Sequence, residues 1–80
     1  MAVVTLRLFA SAREAAGVRV DGFEAATVAD VLRQASVRYG EAFAAVLAAS
    51  KVWRNGEPAG AEVVLAEGDE LAVLPPVSGG

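Results

Sequence analysis

The chain has 80 residues, of which 55% are hydrophobic, and a formal net charge of −3 at neutral pH. This length allows one domain with a small core, and the acidic balance without a basic cluster argues against a nucleic-acid partner. The chain has neither cysteine nor histidine, which excludes a disulfide framework, a thiolate nucleophile and the commonest general base. Its apolar runs are shorter than the ~20 residues that a membrane span needs, and the N-terminus lacks a signal-peptide pattern. We therefore expect a cytoplasmic protein that binds no membrane.

The first part of the chain predicts two strands joined by a short helical turn. Residues 3–9 alternate apolar and polar side chains well enough for a strand. Ser11 followed by Glu14 resembles a capping pair and predicts a helical turn over residues 11–16. Residues 18–23 then form a second strand, so the chain begins as a hairpin-like unit.

The next part predicts the main helix. Thr27 is a favourable N-cap residue and Asp30 lies where a capping acid would be. Apolar residues recur at helical spacing over residues 28–39, which indicates an amphipathic helix that ends at Gly40. Residues 41–49 continue the helical pattern and predict a second, shorter helix.

The last third predicts short strands connected by turns. Residues 52–54 form a strand that reaches the turn signal Asn55-Gly56, and Pro58 confines its segment to a loop or a sheet edge. Residues 63–65 form a short strand, residues 67–69 a turn, and residues 70–74 the final strand.

The order of these elements predicts an α+β fold of the β-grasp (ubiquitin-like) type. We expect a mixed sheet of about five strands, with one main helix and one or two short helices. The first and last strands are the most apolar and are expected side by side at the centre of the sheet. The predicted domain covers residues 1–76, and residues 77–80 form a flexible C-terminal tail.

The tail is the part of the chain that could carry chemistry. Pro75-Pro76 favours a stiff, extended exit from the sheet, and the four residues beyond can reach at most ~13 Å. Gly79 and Gly80 lack side chains and can thread a channel too narrow for a larger residue. The terminal carboxylate is ionised at neutral pH and a poor electrophile, so another protein must activate it. An inert chain end is the alternative interpretation of the same residues.

Three motifs resemble the MoaD/ThiS family of ubiquitin-like sulfur carriers, and within it the MoaD branch, the small subunit of molybdopterin synthase. Residues 8–17 read Leu-Phe-Ala-Ser-Ala-Arg-Glu-Ala-Ala-Gly, and residues 27–32 read Thr-Val-Ala-Asp-Val-Leu. Glu-Gly-Asp-Glu at 67–70 precedes the ending Pro-Pro-Val-Ser-Gly-Gly at 75–80, which is the most specific motif. Glu67 replaces a common aspartate, and Leu74 stands where an aromatic residue is frequent.

The resemblance implies a carrier that is not catalytic alone. An activating enzyme of the MoeB type would adenylate the Gly80 carboxylate with ATP and magnesium, and a sulfur donor would convert it to a thiocarboxylate. The loaded tail would enter the large subunit, MoaE, and donate sulfur to cyclic pyranopterin monophosphate. The chain itself would bind no cofactor and no metal.

The resemblance also implies a surface that contacts these partners. Phe9, Leu74 and Val77 could form an apolar docking patch, although ordinary core packing is the alternative. Arg13 could contact an acidic group of a partner or remain a solvated surface residue. The candidate catalytic residues are Gly80, which carries the carboxylate, and Gly79; the candidate partner-binding residues are Phe9, Arg13, Leu74, Pro75, Pro76, Val77 and Ser78.

Other interpretations remain open at the level of sequence. The same chemistry could serve thiazole, cysteine or tRNA thiolation, or the chain could be a ubiquitin-like modifier that is conjugated to lysines. A structural domain with an inert tail is a further alternative. Asp69 and Glu70 are adjacent and face opposite sides of a strand, so a turn role for Asp69 is favoured over an acid/base pair.

Overall fold

The computed structural model describes residues 1–76, which form one mixed sheet covered on one face by helices. The elements in chain order are β1 (Ala2–Leu8), α1 (Ala10–Ala16), β2 (Val20–Ala25), α2 (Val28–Tyr39), α3 (Glu41–Ala48), β3 (Lys51–Arg54), β4 (Glu57–Pro58) and β5 (Glu70–Leu74). The strands are ordered β2-β1-β5-β3-β4 across the sheet. β1 and β5 run parallel, and the other neighbouring strands are antiparallel. This is the predicted β-grasp arrangement, with the first and last strands at its centre.

The core lies between the sheet and the helices. Alternate residues of the central strands point into it, which explains why Leu6, Leu71 and Val73 have no exposed surface. From the helical side, Val31 and Phe43 are equally inaccessible to solvent. The alternation of the first and last strands therefore divides their side chains between the core and the open face of the sheet.

The main helix has the predicted bounds because its signals are local. The Thr27 hydroxyl accepts a hydrogen bond from the Asp30 amide at 3.2 Å, as an N-cap residue should. The Asp30 carboxylate accepts from the Ala26 amide at 3.3 Å, so the reciprocal bond of the capping box is displaced by one residue. Gly40, with a φ of 99°, ends the helix and donates its amide to the Ser36 carbonyl.

The start of α1 differs from the prediction. Phe9, and not Ser11, is the N-cap residue, and no side chain caps this helix. The Phe9 carbonyl accepts the amides of Ala12 and Arg13 at 3.0 and 3.3 Å, and Ser11 already lies inside the first turn. The turn is entered through Ala10 at a φ of 49°, an unusual conformation for a residue with a Cβ that a capping pattern does not reveal.

The predicted strand over residues 63–65 is reduced to an isolated bridge between Val64 and Thr27. Backbone carbonyls next to this bridge bond to α2 and not to another strand. The Val63 carbonyl accepts the amide of Val28 at 3.0 Å, and the Ala61 carbonyl accepts that of Ala29 at 2.9 Å. These amides belong to the first turn of α2 and have no partner within the helix. The segment therefore caps the main helix instead of extending the sheet.

A polar cluster holds the turn that leads into β5. Asp69 is buried, and its carboxylate accepts hydrogen bonds from the Ala66 amide, the Asn55 side chain and the Arg54 guanidinium at 2.8 to 2.9 Å. These bonds, above all the one from Ala66, lower the pKa of Asp69 to about 2. This geometry agrees with the turn role that the sequence favoured for Asp69.

Candidate functional site

The chain leaves the sheet at the C-terminal end of β5, between two other strands. Leu8 is paired with Val73 and Lys51 with Leu74, so the end of β1 and the beginning of β3 flank the exit. Because β2 is antiparallel to β1, it also begins at this end, which we call the tail end. Pro75 is half-buried and Pro76 exposed beyond the last strand.

Four of the predicted site residues lie outside the described residues: Val77, Ser78, Gly79 and Gly80. The predictions for the terminal carboxylate and the flexible tail therefore stay predictions. What the structure shows is the platform from which this segment departs. That platform is the middle of a five-stranded sheet, held on both sides by hydrogen-bonded neighbours.

Phe9 and Leu74, the two described members of the expected docking patch, both lie at the tail end. Phe9 follows β1 directly, and 43% of its surface is exposed. Leu74 is half-buried and points to the sheet face opposite the buried Val73. Neither residue belongs to the hydrophobic core or to the partly buried residues packed against it. Both side chains are placed where a partner could reach them.

The open face of the sheet carries a row of residues that the sequence did not single out. Pairing places Val20 beside Arg7, Arg7 beside Ala72, Ala72 beside Trp53 and Trp53 beside Pro58. The row crosses all five strands, and most of its members are apolar. Alternation in each strand could have identified this face, but the register between the strands decides which residues meet.

Positive charge also gathers at the tail end. Arg13, exposed on α1, lies near Arg19, which directly precedes β2. Arg7 is the third arginine here, and its guanidinium contacts the Glu70 carboxylate at 2.9 Å, with both side chains half exposed. Of these residues only Arg13 was predicted as a site residue. The sequence predicted a hairpin-like unit with a second strand at residues 18–23, in which Arg19 would be an ordinary strand residue. In the structure β2 begins at Val20, so Arg19 lies just before it.

The described part of the chain offers no constellation for catalysis. Within residues 1–76, no group of three acidic side chains could hold a metal ion, and every buried side-chain polar atom has a hydrogen-bond partner. Asp69 is fully engaged in its turn, at the end of the sheet opposite the tail. No helix in this range is long and apolar enough to cross a membrane. What the domain can do chemically is to hold and present the segment that follows β5.

Comparison with known proteins yields one family and several solved structures. The sequence model of the ThiS family matches residues 6–80. The small archaeal modifier protein 1 of Haloferax volcanii is 36% identical, with a TM-score of 0.86 over 98% of this chain and 99% of that chain. A Pyrococcus furiosus protein named as molybdopterin converting factor subunit 1 is 27% identical, with a TM-score of 0.85 over 96% and 100%.

A more distant structure has the same fold. In Helicobacter pylori, subunit 1 of the molybdopterin-converting factor is seen in a complex with subunit 2; the similarity is 22% identity with a TM-score of 0.72 over 98% of this chain and 99% of that chain. No curated protein sequence matches the chain significantly.

Proposed function

The chain belongs to the ThiS family, within the MoaD/ThiS group of ubiquitin-like sulfur carriers, and from this premise we propose that it is the small subunit of molybdopterin synthase. The observation that carries the proposal is the placement of β5. It lies at the centre of the sheet and is followed in the sequence by Pro75-Pro76, Val77, Ser78 and the terminal Gly79-Gly80. The Pyrococcus furiosus relative, matched over its whole length, supports the molybdopterin pathway.

Loading would use the terminal carboxylate of Gly80. An oxygen of the Gly80 carboxylate attacks the α-phosphorus of ATP on a magnesium-dependent activating enzyme, and pyrophosphate leaves. A sulfur nucleophile from an external donor then displaces AMP, since the chain has no cysteine of its own. The product is a C-terminal thiocarboxylate. The two glycines allow the end of the chain to enter a narrow active site without a side-chain clash.

Transfer would take place in a large subunit of the MoaE type. The rigid sheet presents Phe9 and Leu74 around the exit, and these apolar side chains dock against the partner. The tail then reaches into the active site, where its sulfur passes to cyclic pyranopterin monophosphate. The catalytic side chains of this step would come from the partner.

A reconstituted synthase tests the proposal. We expect the thiocarboxylated chain, mixed with a large subunit and the cyclic pyranopterin precursor, to yield molybdopterin, and the chain lacking Gly80 to yield none. Phe9→Ala should weaken binding to the large subunit, whereas Val64→Ala, an exposed change at the other end of the domain, should not. Molybdopterin formed at the normal rate with the Gly80-deleted chain would contradict the proposal.

The similarity to small archaeal modifier protein 1 favours a second candidate function, conjugation of the Gly80 carboxylate to lysines of other proteins. Conjugation would use the same adenylate but replace AMP with a lysine amine. It predicts adducts of higher mass in cells that survive a reducing agent and contain the peptide Val-Ser-Gly-Gly linked to lysine. A chain that supports molybdopterin synthesis and forms no such adduct would leave the carrier role alone. Carriers for thiazole, cysteine or tRNA thiolation are separated by which activating enzyme and acceptor consume the thiocarboxylate.

A further inference from the structure

The basic side chains of the described residues fall into two groups. Four are paired with an acidic side chain: Arg7 with Glu70, Arg33 with Asp30, Arg38 with Asp21 and Arg54 with Asp69. Those that form no salt bridge within residues 1–76 are Arg13, Arg19 and Lys51. The cations available to an external anion are therefore a distinct subset.

The topology brings this subset together at one end of the molecule. Arg13 lies in the helix that follows β1, Arg19 directly precedes β2, and Lys51 begins β3. β1 and β5 end where β2 and β3 begin, so all three residues surround the exit of the tail. We call Arg13, Arg19 and Lys51 the basic collar.

A cavity beside the collar has the composition of an anion-binding surface with an apolar wall. Its volume is about 310 Å³, and it is lined by Arg7, Arg13, Arg19, Leu8, Phe9 and Val20. Guanidinium groups bind carboxylates through paired hydrogen bonds, and exposed aromatic rings add apolar contact area. Arg7 is already engaged with Glu70, so the unpaired charge of the cavity comes from Arg13 and Arg19.

Negative charge collects at the opposite end of the sheet. Glu24 lies near the end of β2, and Glu57 follows the turn after β3. The Glu67 carboxylate accepts the amide of Val3, near the start of β1. Two acidic residues lie towards the tail end: Glu14 follows Arg13 in α1, and Asp21, near the start of β2, is paired with Arg38. The cations that form no salt bridge within residues 1–76 are nevertheless those around the exit of the tail.

We propose that the basic collar receives an acidic segment of the protein that accepts the tail, and so orients the domain with its tail foremost. The inference rests on the proposed function, because the tail defines which end must face the partner. Complementary charge of this kind raises association rates by about 10- to 1,000-fold and weakens as salt screens it. The collar therefore acts before the apolar contacts of Phe9 and Leu74 form.

A titration with an acidic peptide tests the surface directly. The full-length, nitrogen-15-labelled chain is titrated with a hexaglutamate peptide at low ionic strength, and amide shifts are followed by NMR. We expect saturable shifts centred on Phe9, Arg13 and Arg19 that disappear at high salt. Arg19→Glu should weaken the binding roughly three- to tenfold, as expected for reversing one exposed charge. Arg33→Glu makes the same change of net charge on α2 and should leave the affinity unchanged.

Three results would overturn the inference. The first is the absence of shifts at low salt, or shifts centred on Arg33 and Arg38. The second is tighter, one-to-one binding of tripolyphosphate at the collar, which would identify a phosphate site instead. The third is much stronger peptide binding after removal of residues 77–80, which would show that the chain's own carboxylate occupies the collar.

The outcome is separable from that of the proposed function, because peptide binding needs no sulfur loading. A chain that binds hexaglutamate at the collar but supports no molybdopterin synthesis contradicts the proposed function alone. Normal synthesis that is insensitive to Arg19→Glu and to salt, without peptide binding, contradicts the collar alone.

Discussion

Asp69 is a buried acidic residue whose hydrogen bonds favour its charged form. It is 6% exposed, and it accepts hydrogen bonds from one backbone amide and two side chains. These donors favour the carboxylate over the carboxylic acid, which is why the pKa falls from 3.8 to about 2. The cluster joins the turn after β3 to the start of β5, the strand from which the tail departs. A single side chain at the far end of the sheet thus helps to position the candidate site.

The pKa of Asp69 predicts how stability depends on pH. Because the folded-state pKa is lower than the ordinary value, ionised Asp69 stabilises the fold fully above about pH 4, and this contribution is lost as the pH falls from 3.8 towards about 2. We expect Asp69→Asn to lower the Tm by several degrees at neutral pH, since its amide group would place donors against donors. The loss should shrink in acid.

Thermal unfolding followed by circular dichroism between neutral pH and pH 2 provides the measurement. Glu62→Gln is the matched control, because Glu62 is exposed and forms no salt bridge within residues 1–76. Equal pH profiles for Asp69→Asn and the unchanged chain would show that the cluster does not stabilise the fold through its charge.

At the scale of elements, the connection between β1 and α1 contains an unusual backbone conformation beside the candidate site. Ala10 has a φ of 49°, which glycine adopts easily and which is unfavourable for a residue with a Cβ. It directly follows Phe9, whose extended backbone ends β1. The strained residue thus sets the direction in which the chain turns from Phe9 into α1.

Replacing Ala10 by glycine separates strain from helix propensity. A left-handed conformation costs alanine roughly 1–2 kcal/mol, whereas glycine loses roughly 0.5–1 kcal/mol more through chain entropy. We therefore expect Ala10→Gly to leave the free energy of unfolding unchanged or to raise it by up to about 1 kcal/mol. Ala45→Gly, on the exposed side of α3, should lower it by about 1 kcal/mol. Urea denaturation measures both, and equal losses would contradict the strain at Ala10.

Some elements are predicted well from the sequence and others poorly. Elements that are fixed by interactions between residues close in the chain are predicted well, and those that depend on distant residues are not. The main helix was predicted to the residue because Thr27, Gly40 and the apolar periodicity act within a few positions. The prediction of a strand at residues 63–65 was wrong because carbonyls of this segment accept the first amides of α2. These amides lie more than thirty residues away in the chain. The predicted start of α1 was wrong because no side chain caps this helix. The chain enters the helix through the positive φ of Ala10, which a capping pattern does not reveal.

The same limit applies to the candidate site. Gly79-Gly80, Phe9 and Leu74 were predicted as site residues from the motifs and from their positions in the chain, and the structure places Phe9 and Leu74 at the end of the sheet where the tail begins. Arg19 and Val20 were missed because only the register between β1 and β2 brings them beside Phe9.

At the scale of the whole molecule, the fold separates stability from chemistry. The core and the sheet lie within residues 1–76, and Gly79-Gly80, for which we propose the chemistry, come after the central strand β5 in the sequence. The exposed apolar side chains of Phe9, Val18 and Val20 lie at the same end as Arg13 and Arg19, which form no salt bridge within residues 1–76. Under the proposed function, the β-grasp domain is a base that presents this end to its partners, and those partners would supply activation, sulfur and catalysis.

The most direct test of this account is the intact mass of the chain after incubation with ATP, magnesium, an activating enzyme and a sulfur donor. We predict a gain corresponding to one sulfur-for-oxygen exchange, located at Gly80 by fragmentation and absent without ATP. A chain extended by one residue beyond Gly80 should keep its circular dichroism spectrum and remain unloaded. If the mass of the unmodified chain does not change while an established carrier is loaded by the same mixture, the chain is not a sulfur carrier for that enzyme. The same failure with activating enzymes of every candidate pathway would contradict the central claim.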